Sequence, residues 1–147
     1  MQTNWLHDVS FDHVGVSVAN LEIAQGFYSN VLGFAILEEV FQLPGHDIRG
    51  AVLVNRRGAR VELFERKGSR ASVKANPIES TLTRGWFQVA LAVDDVHRAF
   101  EQTVAAGAAV AMSPRRAPDE RSWIAFIADP DGNLIELIQR AQPIGSD

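Results

Sequence analysis

His13-Val14-Gly15-Val16-Ser17-Val18 leads, 49 residues beyond its histidine, to Val61-Glu62-Leu63-Phe64. Gln88-Val89-Ala90-Leu91-Ala92-Val93 leads, 48 residues beyond its glutamine, to Ile135-Glu136-Leu137-Ile138. Each pair opens with a metal-capable polar side chain at the head of an alternating strand and closes with one glutamate inside an apolar run. A repeat that keeps its polar intruders as well as its apolar pattern predicts a duplicated fold in which the four intruders meet. The fold class read from it is α+β: two tandem βαβββ modules forming a cupped mixed sheet around a metal site.

Working outward, the 147 residues divide into a first module at about 11–65, a connection at about 66–85 and a second module at about 86–140, all within one domain. In the first module, Asn20 caps a helix whose apolar stripe is Ala24, Phe27, Tyr28, Val31 and Leu32, and Gly33 ends it. Three strands follow at about 35–41, 48–55 and 60–65, separated by Pro44-Gly45-His46-Asp47 and Arg56-Arg57-Gly58. The connection holds Arg66, Lys67, Arg70, Lys74 and Arg84 against the single acid Glu79, has no clear period, and is expected to lack regular structure. In the second module, Trp86–Val93 is a strand, Asp94 or Asp95 caps the helix, and Gly107 ends it. Strands are expected at 108–112, 122–128 and 133–139, with a turn at Asp129-Pro130-Asp131-Gly132. Ser113 to Arg121 reads as a charged hairpin loop.

Composition narrows the chemistry. Hydrophobic content of 46% is that of a folded protein. A net charge of −4 and a pI near 5.5 argue against a nucleic-acid partner. With no cysteine, any metal must be held by nitrogen and oxygen. No apolar run approaches the roughly 20 residues of a membrane span, and the polar start of the chain lacks a signal-peptide core. A cytoplasmic location and no membrane partner are expected.

Residues two apart on a strand share a face. His13 therefore points with Gly15 and Ser17, and Gln88 with Ala90 and Ala92. The opposite faces carry bulky Val14, Val16, Val18 and Val89, Leu91, Val93, suited to packing against helices. Each module thus has an emptied face beside a ligand candidate. Glu62 and Glu136 stand alone among apolar neighbours, and a buried unpaired carboxylate costs several kcal/mol. A divalent cation would neutralise that charge. The metal ligands expected are His13, Glu62, Gln88 and Glu136, and the ion is nickel, zinc, cobalt, manganese or iron. His97 is placed on the exposed side of its helix and His7 in a tail.

Asp12-His13-Val14-Gly15, the helix end from Phe27-Tyr28 through Leu32-Gly33-Phe34, and Asp129-Pro130-Asp131-Gly132-Asn133-Leu134-Ile135-Glu136-Leu137 resemble the vicinal oxygen chelate superfamily. This is the glyoxalase, bleomycin-resistance and extradiol-dioxygenase group, and the likeness covers about residues 11–140. The resemblance implies paired βαβββ modules and ligands at His13, Glu62, Gln88 and Glu136. It implies proton abstraction beside a metal-chelated carbonyl, with Glu136 as base and Glu62 as its partner on the opposite face. A lactoylglutathione lyase-like reaction is expected; an acyl-CoA epimerase and a non-catalytic drug- or metabolite-binding protein are the alternatives. Gln88 stands where the dioxygenases and fosfomycin-modifying relatives have histidine, which disfavours both. The substrate expected is a small molecule, an anionic thioester or glutathione adduct, and the expected assembly is a homodimer.

Overall fold

A computed structural model describes residues 9–72 and 76–141. His7 and Lys74 lie outside the described residues. The elements are β1 (His13–Val18), α1 (Leu21–Asn30), β2 (Ala35–Ile36), β3 (Phe41–Gln42), β4 (Ile48–Val54), β5 (Arg60–Arg66), α2 (Pro77–Ser80), β6 (Gln88–Ala92), α3 (Val96–Ala105), β7 (Ala109–Arg116), β8 (Trp123–Ala128) and β9 (Leu134–Gln139).

Each half of the chain builds its own mixed sheet. The first has the order β1-β5-β4-β2, with β3 also on β4, and the second has the order β6-β9-β8-β7. The parallel pairs β1·β5 and β6·β9 are equivalents, and the remaining neighbours are antiparallel. The duplicated α+β architecture read from the repeat is the one observed.

The two ten-residue helices, α1 and α3, follow from local chemistry. The Asn20 side chain accepts from the Ile23 amide over 2.8 Å, and Asp95 caps α3 by accepting from the Arg98 amide. Gly33 and Gly107 leave the helices at φ 72° and 111°, where a side chain would be strained. The valine faces of β1 and β6 pack with both helices into one core containing Leu21, Leu53, Leu63, Ile127, Ile135 and Leu137. Burial of that apolar surface is the main stabilising term.

The two halves are also tied by polar contacts. Tyr28 in α1 donates its hydroxyl to Asp129 Oδ2 across 3.1 Å, and the Ala19 amide reaches both carboxylate oxygens of Asp131 at 3.2 Å. The Asp129-Pro130-Asp131-Gly132 stretch therefore makes its own turn and latches onto the other module.

Three expectations need correction. The strand at about 35–41 is two short pieces separated by residues 37–40, where Glu38 and Glu39 are exposed. The connection contains a helical turn, α2, because Asn76 accepts from the amides of Ile78 and Glu79 and Pro77 occupies the first helical position. Strand β7 continues to Arg116, with Arg115 and Arg116 paired to Ile124 and Trp123 beyond an irregularity at Ser113 and Pro114, and only the segment after Arg116 is loop. Among the described residues, no helix is long and apolar enough to cross a membrane.

Candidate metal centre and active site

Strand register decides what stands beside each glutamate. Gly15 lies opposite Glu62 across the parallel β1·β5 pair, and Ala90 lies opposite Glu136 across β6·β9. These small residues leave the face open next to the carboxylates. Two residues earlier on the same face come His13 and Gln88. His13 Nε2 lies 2.9 Å from Glu62 Oε2, and Gln88 Nε2 donates to Glu136 Oε2 over 2.6 Å. Each module thus brings together its own polar head and its own glutamate, at matching register.

The two modules meet along a seam to which β1 and β6 both contribute residues. Gly15 and Gln88 line one small cavity there, of about 110 Å³. Among the described residues, no three of His, Cys, Asp and Glu are grouped closely enough to hold an ion. The chain on its own therefore presents two contacts of two residues each.

A further residue, not singled out from the sequence, completes the first pair. Asp12 Oδ2 lies 2.6 Å from His13 Nδ1, and Asp12 Oδ1 accepts from Arg60 Nη1 over 2.9 Å. The imidazole has a carboxylate at each nitrogen. Its hydrogen bond to Asp12, foremost, and the Glu62 charge raise the His13 pKa, while the same bond lowers that of Asp12. A carboxylate at the far nitrogen fixes the ring and its tautomer in histidine metal sites. Its signal was the adjacency of Asp12 and His13. An expected outcome follows: Asp12→Ala weakens divalent-metal affinity by about tenfold, read by calorimetric titration.

Glu136 is half-buried. Burial raises its pKa above the ordinary 4.5, opposed by the Arg140 charge and the Gln88 hydrogen bond. A carboxyl held above its usual range is nearer in proton affinity to a weak carbon acid's needs, which suits a general base.

Two larger cavities lie away from the seam. One of about 670 Å³ runs from Gln88 between α2 and the β7–β8 hairpin. The other, of about 480 Å³, lies at the end of β4 and β5 among His46, Arg49, Glu65, Arg66 and Lys67. Arg66 and Lys67 of the connection border only this second one, and Arg49 there is engaged by Glu22 and Glu65. His97 is exposed, as expected, and its ring meets Trp123 edge-on at 4.8 Å.

Comparison with known proteins gives a consistent picture. The family model described as Glyoxalase/Bleomycin resistance protein/Dioxygenase superfamily matches residues 10–137. The "Probable lactoylglutathione lyase" of Vibrio cholerae is 29% identical over 140 residues, 88% of this chain and 90% of that protein. Mitochondrial methylmalonyl-CoA epimerase of Bos taurus is 35% identical over 86 residues, 58% of this chain and 47% of that one. Glyoxalase I of Zea mays, in its V278E form, superposes with a TM-score of 0.71 at 26% identity, covering 89% of this chain and 44% of the maize chain. This chain therefore spans less than half the length of the bovine and maize proteins. A glyoxalase family protein from Bacillus cereus has a TM-score of 0.74 at 19% identity over 97% of this chain, a likeness of fold.

Proposed function

Because the chain belongs to the glyoxalase/bleomycin resistance protein/dioxygenase superfamily, we propose that it is a metal-dependent lyase or isomerase that moves a proton next to a substrate carbonyl. The observation that carries this reading is the repeated contact at equivalent register, His13 with Glu62 and Gln88 with Glu136. The reaction proposed is lactoylglutathione lyase-like, in keeping with the Vibrio cholerae relative.

One imidazole nitrogen, one amide oxygen and two carboxylates are a donor set that suits nickel, zinc, cobalt, manganese or iron. Gln88 spends its amide N–H on Glu136, which leaves its carbonyl oxygen free to act as a ligand. The pair His13 and Glu62 and the pair Gln88 and Glu136 would hold the ion between them. A cation there supplies Lewis-acid stabilisation to a substrate oxygen as it gains charge.

The chain's own groups do the rest. Glu136 takes the proton on a carboxylate oxygen, and Gln88 holds that carboxylate in place through its amide. Delivering the proton to the neighbouring carbon gives isomerisation. The epimerase likeness favours a second reading, in which Glu62 serves the opposite face and the proton returns to the carbon it left. The test is a panel in deuterated water with the metal-reconstituted protein. The hemithioacetal of methylglyoxal and glutathione is compared with a 2-methyl-branched acyl-CoA. Turnover of the first supports the lyase, and deuterium entry into the second supports the epimerase. Neither would remove both readings.

A homodimer is part of the proposal. Phe11 and Trp86 hold equivalent repeat positions two residues before His13 and Gln88, and they are 79% and 100% exposed. These two aromatics at matching repeat positions offer apolar surface that a second copy would cover. Light scattering at micromolar concentration is expected to give twice the chain mass; a monomer would contradict it.

A further inference from the structure

The β7·β8 pairing contains an irregularity with a chemical consequence. Met112 stands opposite Phe126 and Arg115 opposite Ile124, so three steps along β7 match two along β8. On an uninterrupted strand, residues three apart point to opposite faces. The bulge instead sets Met112 and Arg115 against two residues of one face. That face is the one that carries the base, because Phe126 is in turn opposite Glu136 in the β8·β9 register.

Arg115 thereby borders the cavity of about 670 Å³ that begins at Gln88. The cavity's apolar side is formed by Ile78, Phe87 and Phe126, and Thr81, Arg116 and Glu120 also border it. Arg115 is exposed, and the hydrogen bond recorded for its guanidinium goes to the Met112 sulfur at 3.4 Å, a weak acceptor. Among the described residues, it forms no ion pair, although Glu120 lies on the same rim. Its neighbour Arg116 is already engaged, lying over the Trp123 ring at 4.4 Å and donating to the Arg121 carbonyl.

We infer that Arg115 is a specificity residue for an anionic group carried at the far end of an apolar substituent of the substrate. Two strand spacings and two residues of rise separate the Arg115 and Glu136 backbones by about 12 Å. The substrate class is therefore a carbonyl compound with an apolar spacer, aromatic or branched, ending in a carboxylate, sulfonate or phosphate. An unpaired guanidinium on an apolar wall favours such an end over a neutral one, because a charge-assisted hydrogen bond is stronger than a neutral one. This rests on the proposed proton transfer beside a carbonyl and replaces the glutathione substituent with a less polar one.

The test is equilibrium binding of unreactive probes to the full chain by calorimetry. 4-Phenylbutane-1-sulfonate is a poor metal ligand, and 4-phenylbutan-1-ol is its neutral counterpart. The sulfonate is expected to bind about tenfold tighter or more. Arg115→Ala is expected to erase the difference without changing the alcohol's affinity, and Arg115→Lys to keep the preference. Equal affinities in the unaltered protein, no binding of either probe, or a preference that survives Arg115→Ala would each overturn the inference. Proton exchange on the substrate panel is scored separately. Loss of exchange with the sulfonate preference intact counts against the catalytic reading alone, and the converse counts against Arg115 alone.

Discussion

Glu136→Gln is expected to slow exchange of the substrate α-proton with solvent by about 10²–10⁴-fold while leaving the fold in place. Glu136 stands in β9 between buried Ile135 and Leu137, opposite Phe126 on one side and Ala90 on the other. A glutamine has the same shape and can still accept from Gln88, so what is lost is the group that takes the proton. Exchange in the variant within tenfold of the unaltered protein would assign the base elsewhere.

The same substitution carries a pH signature. Burial, the leading cause, raises the Glu136 pKa above 4.5. A carboxyl raised in the folded state stabilises the fold in its protonated form at low pH, and that contribution is lost as pH rises through its folded value. Glutamine is neutral throughout. In metal-free protein, Glu136→Gln is therefore expected to match the unaltered chain in stability in acid and to exceed it above the folded pKa, measured by urea unfolding at both ends with a chelator present. Activity and stability move in opposite directions at this position, as they do where a charge is kept half-buried for use.

Asp129→Ala is expected to cost about 2–4 kcal/mol of stability, lowering the melting temperature by about 10 °C. Asp129 is 3% exposed. Its carboxylate accepts from the Tyr28 hydroxyl at 3.1 Å, the Asp131 amide at 3.0 Å, the Asn133 amide at 2.8 Å and the Asn133 side chain at 2.9 Å. Alanine strands several of these donors, and buried unpaired donors lose hydration without compensation. Burial, and then the Asp129 charge, push the Tyr28 phenol far above its usual range, so it stays a donor at every accessible pH. Tyr28→Phe removes one donor and should cost about 1 kcal/mol. A loss under about 1 kcal/mol for Asp129→Ala would mean that the turn does not tie the modules.

Features repeated in the chain were legible, and features made by pairing were not. The duplicated βαβββ pattern, the caps Asn20 and Asp95 and the stops at Gly33 and Gly107 follow from local periodicity and backbone chemistry. The turn at α2 was also local: Asn76-Pro77 with Glu79 is a start signal, outweighed by the basic, aperiodic stretch around it. The extension of β7 was different in kind. Pro114 and two arginines read as loop, and only the partner strand β8, with its bulge, holds that segment in the sheet. At the site, alternation put His13 and Gln88 on the open faces. It could not show that each would touch the glutamate of its own module, because that depends on register between strands far apart in sequence. Asp12 was visible as a neighbour of His13 but not as its partner, since adjacent strand residues ordinarily point apart.

The central claim is that His13, Glu62, Gln88 and Glu136 together hold one divalent ion. Elemental analysis of the dialysed protein, after reconstitution with nickel, zinc, cobalt, manganese or iron in turn, tests it most directly. At least one of these metals is expected to be retained at one ion per chain, and to be lost from both Glu62→Ala and Glu136→Ala while each variant stays folded by circular dichroism. Retention of the ion in either folded variant, or failure of the unaltered protein to keep any of the five metals, would contradict the account.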